Sequence, residues 1–267
     1  NKYLPYDESV PDEDIRASIL TKFSGANVHG GFVNKLRPAL LNDMDSPLIF
    51  AYDWRQDISK SAQKLHEMLT GEWKNGLCNR SVIFVSHSMG GLVTSWWYHS
   101  YFAKSNVYRK QGFQLEKIYL LGVPHTGAPY TVEAIAKGYQ LLKGIVPKFL
   151  GVSAWIDKNW VSRTLNIAGP TFPSLYQLMP PPDALGGTIT YKQPGVPNPV
   201  PIEFLNPAAW EMFNWPKYAP IAWKRELYYR KLPTLIKKAL NFHKTMKGFG
   251  AIPDAHYFYG MGKNTVV

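Results

Sequence analysis

The sequence predicts an α/β fold, with a doubly wound and mainly parallel sheet that is interrupted by an irregular insertion. Short apolar runs alternate with helical patterns between residues 46 and 123, as expected for parallel strands joined by crossover helices. One apolar run leads directly into Ser-x-Ser-x-Gly at Ser86–Gly90. From residue 131 to 253 the regular alternation gives way to prolines and tryptophans. These observations predict both the fold class and the place of the insertion.

Composition bounds the class of protein. With 267 residues, of which 45% are hydrophobic, the chain is long enough for one sizeable core. A net charge of +11 would favour an anionic partner, but the basic residues are scattered and accompany no nucleic-acid recognition motif. The single cysteine, Cys78, excludes an internal disulfide and favours an intracellular or organellar location, peripheral to a membrane.

The first half of the chain alternates strand and helix. The run 46–52 is short, apolar and bounded by polar residues, which predicts a buried parallel strand. Residues 57–69 carry apolar side chains at helical spacing. The pattern repeats with a strand at 81–85, a helix at 89–102 and a strand at 117–123. Right-handed crossovers would then cover both faces of the sheet.

The second half is less regular. Apolar spacing after Thr131 predicts one helix, and a second helix is expected at 232–246. Residues 256–259 read as a last strand. We therefore divide the chain into four predicted regions. They are an N-terminal arm (1–27), an α/β core (28–130), a cap or lid insertion (131–253) and a last core strand (254–267).

The sequence around Ser88 predicts a nucleophile elbow, the sharp strand-to-helix turn of α/β-hydrolases. Such a turn requires small residues two before and two after the nucleophile, and these positions hold Ser86 and Gly90. The first position departs from the usual Gly-x-Ser-x-Gly. At a helix N-terminus, free N–H groups favour developing negative charge, so Met89 N–H is the expected oxyanion donor. The alternative is that Ser88 only caps the helix.

Four further segments resemble the lecithin:cholesterol acyltransferase family, in the order in which the family has them. They are Ala51–Arg55 (A-Y-D-W-R, similar to P-Y-D-W-R), Gly122–Pro129 (similar to G-x-P-x-x-G-[AS]), Ser174–Pro180 (similar to S-L-x-x-L-x-P) and Tyr259–Thr265 (similar to Y-G-x-G-x-x-T). The resemblance spans residues 28–267. It implies a lipid acyl hydrolase or acyltransferase that forms an acyl-serine on a phospholipid or other lipid ester.

The resemblance also implies a Ser-Asp-His triad in that chain order, a cap or lid, a membrane-associated lipid substrate and no cofactor. The family's first strand and oxyanion loop would precede residue 28, and its catalytic Asp and His would follow the last strand. We therefore expect a sheet with open edges. Either missing segments or a partner chain would complete it.

Within the chain, Asp53, Trp54 and His125 follow predicted strands on the same rim as Ser88. A relay of Asp53, Ser88 and His125 is conceivable, but the Asp of a D-W-R segment more often fixes its own loop, here through Arg55. Asp254 and His256 stand at the wrong end of the last strand, roughly 16 Å away at about 3.3 Å per residue. The competing hypothesis is an inactive structural subunit of a larger assembly that kept the elbow.

Overall fold

The structure is a computed structural model that describes only part of the chain. The described residues are 22–23, 26–27, 35, 48–72, 81–110, 112–129, 131–132, 135, 169–184, 190–191, 198, 200–201, 203–212 and 222–260. The described strands are β1 Lys22–Phe23, β2 Ala26–Asn27, β3 Ser81–His87, β4 Gln114–Leu121, β5 Thr190–Tyr191, β6 Val200–Pro201 and β7 Ala255–Phe258. The described α-helices are α1 Ile58–Glu72, α2 Met89–Trp97, α3 Val107–Lys110, α4 Pro173–Gln177, α5 Pro207–Met212 and α6 Ala222–Gly248.

A parallel sheet of order β3-β4-β7 organises the molecule. The α/β class with a parallel sheet is thus confirmed. Because the strand order advances in one direction, right-handed crossovers place α2 and α6 on the same face. Phe242 of α6 accordingly stacks on Trp96 of α2, with ring centroids 5.3 Å apart. The pairs β1–β2 and β5–β6 are separate two-residue antiparallel ladders.

Three of the predicted core strands are present, and one is not. The runs 81–85, 117–123 and 256–259 correspond to β3, β4 and β7, with shifted ends. The predicted strand at 46–52 is wrong for residues 48–52, which belong to no strand. Leu48 and Ile49 are exposed, while Phe50 and Tyr52 stack on each other at 5.5 Å. Phe50 and Tyr52 therefore contribute to side-chain packing and not to strand pairing.

The described residues leave apolar side chains exposed on the second face of the sheet. The expectation of a sheet covered on both faces stays a prediction. Along β3 the burial alternates, so that Ser86 is buried whereas Ile83 and Val85 are 50% and 43% exposed. Phe258 of β7 is also exposed. Periodicity predicts that a strand has two faces, but it does not reveal which segment packs on each.

The predicted helix at 57–69 is α1. Asp57 caps the N-terminus of α1, because its carboxylate accepts hydrogen bonds from both the N–H and the hydroxyl of Ser59. The predicted helix at 89–102 divides into α2 and a π-helical turn at Tyr98–Phe102. The predicted helix at 232–246 lies within α6, which is longer and contains Pro233. No helix among the described residues is both long and apolar enough to cross a bilayer.

Two large hydrophobic clusters and a small one, which consists of Ile118, Leu120 and Ile252, make up the described interior. The sheet-side cluster joins α1 and α2 through buried residues such as Leu65, Leu92 and Trp97. The second cluster gathers parts of the predicted insertion, including Val132 and Trp210, around α6. Helix α6 contributes to both large clusters. A buried hydrogen bond from Ile58 N–H to Gln177 Oε1, 2.8 Å long, links α1 to α4.

The structure describes only part of the predicted insertion. Residues 131, 132 and 135 are helical, in agreement with the helix predicted after Thr131. The rest of that helix lies outside the described residues. Between 170 and 220 the described elements are short, as the proline content predicts. The boundaries of the four regions remain a prediction, because two clusters do not by themselves define where one region ends.

Candidate active site

Ser88 occupies a strained turn between β3 and α2. Its backbone has φ 53° and ψ −129°, and it is one of two non-glycine residues with positive φ among the described residues. Such a conformation costs on the order of 1 to 3 kcal/mol. The turn is held in place by a hydrogen bond of 2.9 Å from Ser88 N–H to Leu121 O at the end of β4. The geometry is that of the elbow that the sequence predicts.

The Ser88 side chain makes no capping hydrogen bond to α2. The alternative in which Ser88 serves only as a helix cap therefore lacks the contact that would define it. Met89 is the first residue of α2, and its N–H donates no backbone hydrogen bond to the described residues. Ser88, which is partly buried, and the N-terminus of α2 thus lie at the carboxyl end of β3.

Crowding at the elbow falls on a different glycine from the expected one. A Cβ placed on Gly90 would meet only the Tyr52 hydroxyl, at an ordinary 3.7 Å, whereas a Cβ on Gly91 would overlap the Val123 side chain. The steric requirement thus lies three residues after Ser88. Two residues before it, Ser86 is buried and its hydroxyl pairs with Thr94 Oγ1 at 2.7 Å. This bond accounts for the serine that replaces the usual glycine.

Asp53 fixes its own loop. Its carboxylate forms a bidentate ion pair with Arg55, with Nε–Oδ1 and Nη2–Oδ2 distances of 2.8 and 2.7 Å, and also accepts the Arg55 backbone N–H. Burial alone would raise the pKa of Asp53, but the hydrogen bonds and charge of Arg55 hold that pKa below its usual value. This is the arrangement that the sequence favoured for a D-W-R segment.

The neighbours of Asp53 are aromatic. Trp54 is partly exposed and meets Phe172 edge to face, with centroids 5.3 Å apart. Phe172 lies two residues before Ser174, the first residue of the Ser174–Pro180 segment. Tyr52 places its hydroxyl beside the first turn of α2, and burial raises the pKa of Tyr52 to about 12, so the hydroxyl keeps its proton at neutral pH.

His125 pairs with a serine, but that serine is Ser95. The distance from His125 Nε2 to Ser95 Oγ is 3.2 Å. Its ring also lies 5.8 Å from that of Tyr257 in β7. Burial lowers the pKa of His125, which keeps the imidazole neutral at neutral pH. Because Asp53 is bound to Arg55 and His125 to Ser95, the described contacts do not form the Asp53, Ser88, His125 relay.

Asp254 and His256 lie at the start of β7, as the sequence predicts. Asp254 precedes β7 with φ 57°. His256 pairs in register with Tyr119 of β4 and stacks on its ring at 5.1 Å. Tyr119 pairs in turn with Val85 of β3, three residues before Ser88, so the expectation that His256 stands at the far end of the sheet is wrong. Strand β7 pairs only with the carboxyl half of β4, and β4 separates His256 from β3. None of the described contacts joins Asp254 or His256 to Ser88.

Two of the segments that carry the family resemblance, Gly122–Pro129 and Ser174–Pro180, contact each other beyond the carboxyl end of β4, whereas residues 261–265 of the Tyr259–Thr265 segment lie outside the described residues. Gly127, with φ 83°, packs against the backbone of Pro180, where a Cβ would come within 2.5 Å. Ala128 N–H donates to Leu178 O at 2.7 Å, and Gly122 N–H donates to Phe258 O at 2.7 Å. Backbone contacts thus tie the loop after β4 to segments far from it in the chain.

Sequence reasoning missed three members of this arrangement, namely Gly91, Ser95 and Val123. Gly91 and Ser95 lie one helical turn apart on α2 and meet Val123 and His125, which are two residues apart in the loop after β4. The signal was a small residue at each of positions i and i+4 of a helix. It could not be interpreted without knowing which loop packs there.

Comparison with known proteins supports the resemblance. The family model for lecithin:cholesterol acyltransferase matches residues 45–188, which is more than half of the chain. The matched region contains the elbow and the Ala51–Arg55, Gly122–Pro129 and Ser174–Pro180 segments. No curated protein matches the chain. The family resemblance predicted from the motifs is confirmed.

Proposed function

This chain belongs to the lecithin:cholesterol acyltransferase family, and from that membership we propose that it forms an acyl-enzyme at Ser88. Membership indicates a lipid acyltransferase or hydrolase kind of function. The more specific proposal is a serine mechanism acting on a phospholipid or other lipid ester. The observation that carries it is the strained backbone of Ser88 at the junction of β3 and α2. Strain of this kind concentrates at functional sites.

The proposed reaction proceeds in two transfers. Ser88 Oγ attacks the ester carbonyl carbon and gives up its proton to a general base, and the carbonyl oxygen becomes an oxyanion beside Met89 N–H. The tetrahedral intermediate then expels the lipid alcohol, which takes a proton, and leaves an acyl-serine. Water or an acceptor hydroxyl attacks that ester and restores Ser88. The base and its carboxylate are not assigned to any described residue.

The substrate class follows from the family and suits the surface of the molecule. Trp54 is 43% exposed and lies two residues from Tyr52, whose hydroxyl is close to Gly90 at the start of α2. Aromatic side chains of this type favour the interface between water and lipid. The chain also carries a net charge of +11, which would draw it to anionic membranes. We include a membrane surface in the proposal for these two reasons.

A fluorophosphonate probe tests the mechanism, because it forms a covalent bond with an activated serine. Treatment of the full chain should give one adduct, and peptide mass spectrometry should locate it at Ser88. The Ser88→Ala variant should lose the adduct. Ser81→Ala is the matched control, since Ser81 is exposed and contacts Gln114 at 3.4 Å, away from the elbow. It should label like the wild type.

The competing function is that of a structural subunit, and one observation favours it. Among the described residues, one face of the sheet exposes three apolar side chains, those of Ile83, Val85 and Phe258. Apolar patches of this kind often mark protein interfaces. Absence of labelling at Ser88, beside a control hydrolase that reacts under the same conditions, would support the subunit and count against the acyl-enzyme. An adduct at Ser88 would exclude a purely structural role.

A further inference from the structure

We propose that His125 is a positioning residue for the proposed acyl transfer: through its hydrogen bond to Ser95 it holds the loop after β4 against α2 and so fixes the elbow. The inference rests on the proposed function of Ser88 but assigns a role that the family match does not. It also replaces the relay considered from sequence, in which His125 would have been the base.

The first support is a two-point contact between the loop and the helix. Val123 fills the space above the bare backbone of Gly91, and His125 reaches Ser95, one helical turn further along. Gly91 and Ser95 are both buried. One contact is steric and the other is polar, and together they prevent the loop from sliding along or rotating about the helix axis.

The second support is the way in which this loop is tied to the elbow. Ser88 N–H donates to Leu121 O, one residue before the loop begins. The loop therefore meets the elbow segment at three points, which are Leu121 with Ser88, Val123 with Gly91 and His125 with Ser95. Loss of the last contact would free the distal end of the loop and loosen the turn that orients Ser88 Oγ. A misplacement of about 1 Å can cost about a hundredfold in rate.

The third support is the protonation state of the pair. Ser95 is 3% exposed, and burial lowers the pKa of His125. In a neutral imidazole, Nε2 can either accept a hydrogen bond from the Ser95 hydroxyl or donate one to it, so the bond forms in either tautomer. A buried hydroxyl that lost its partner would carry a desolvation penalty, so burial of Ser95 favours the pair.

The experiment is a double-mutant cycle on the full chain. The variants are Ser95→Ala, His125→Leu and the double variant. His125→Gln is the conservative variant, because its amide reaches the same position as Nε2. We expect each single variant to lower the rate of fluorophosphonate labelling at Ser88 by about 10 to 100 fold. The double variant should be no slower than either single variant, because both break one bond. His125→Gln should keep most of the wild-type rate.

A second readout does not depend on activity. Hydrogen exchange at the Ser88 amide, measured on the peptide that spans the elbow, should be faster in Ser95→Ala and His125→Leu than in the wild type. Exchange in the middle of α6 should stay unchanged. His99→Leu is the control histidine, since His99 stacks on Phe249 away from the elbow. It should alter neither the elbow exchange nor the labelling.

Three results would overturn the inference. If His125→Leu slowed labelling far beyond Ser95→Ala and the two effects multiplied, His125 would act chemically and not through Ser95. If both variants lowered only the melting temperature, the pair would be merely structural. Unchanged elbow exchange would exclude a positioning role even in a chain that never labels. Failure of labelling in the wild type would instead reject the proposed function and leave the exchange result to decide the inference.

Discussion

Two segments meet at the carboxyl edge of the sheet and hold their side chains in opposite ways. The elbow after β3 places a non-glycine residue, Ser88, at positive φ and leaves its hydroxyl without a capping bond. The loop after β4 uses glycines at its positive φ positions, Gly122 and Gly127, and engages His125 with Ser95. The elbow stores strain, whereas the loop avoids it. We infer from this difference that the loop after β4 supports the elbow.

The largest effect is expected in the loop after β4, at Gly127. Gly127→Ala should lower the free energy of unfolding by about 4 kcal/mol, because a left-handed alanine costs roughly 1 to 2 kcal/mol and overlap with Pro180 adds up to about 3. Gly122→Ala is the matched control, since its φ is also positive but nothing lies within 4 Å of its Cβ position. It should cost about 1 to 2 kcal/mol. Urea unfolding measures both, and equal losses would show that the contact with Pro180 does not support the loop.

The comparison of the loop with the elbow also shows which features of the fold and the site could be predicted from the sequence. The elbow was predictable because its requirements are local: an apolar strand, small neighbours and a helix follow one another in the chain. Asp53 with Arg55 was predictable for the same reason, since the two residues are two positions apart. The contact of Gly127 with Pro180 joins residues far apart in sequence. Spacing within one segment cannot reveal such a contact.

The failed strand prediction has a similar cause. Residues 48–52 are apolar enough for a buried strand, yet whether an apolar run pairs depends on a neighbouring strand edge. The sequence likewise identified His125 as a rim residue but could not identify its partner, because Ser95 lies on another element. In both cases the sequence showed the chemical character of the segment. It could not show which other segment packs against it, because that depends on the tertiary structure.

A smaller effect is expected where the loop meets α2. Gly91→Ala should lower the free energy of unfolding by about 2 kcal/mol, because the added methyl overlaps Val123. Gly90→Ala, one residue away, should raise it by about 0.5 to 1 kcal/mol, because alanine favours a helix more than glycine does and the position is open. Val123→Ala added to Gly91→Ala should recover part of the loss. Similar effects at Gly90 and Gly91 would contradict the tight contact.

Relief of strain at the elbow should give a gain of about 1 kcal/mol. Ser88→Gly removes the Cβ that makes the left-handed region unfavourable, so the free energy of unfolding should rise even though labelling is lost. Ser88→Ala loses labelling equally but keeps the Cβ, and it should show no such gain. Chemical denaturation of the three proteins side by side makes the measurement. A glycine variant no more stable than the alanine variant would mean that the elbow is not strained.

The smallest effect concerns pH and the loop. Burial lowers the pKa of His125 in the folded chain, so below the ordinary value of about 6.5 the unfolded chain binds a proton that the folded chain does not. Stability is therefore complete above that pH and falls as the pH decreases through it. His66, His99 and His243 have pKa values shifted the same way by burial, so the wild type must be compared with His125→Gln, which keeps the Ser95 bond but cannot titrate. The wild type should lose stability relative to His125→Gln between about pH 6.5 and pH 5. If the two denaturation curves shifted in parallel over this range, the imidazole would be free to protonate in the folded chain, and the loop would hold its histidine no more firmly than a surface residue.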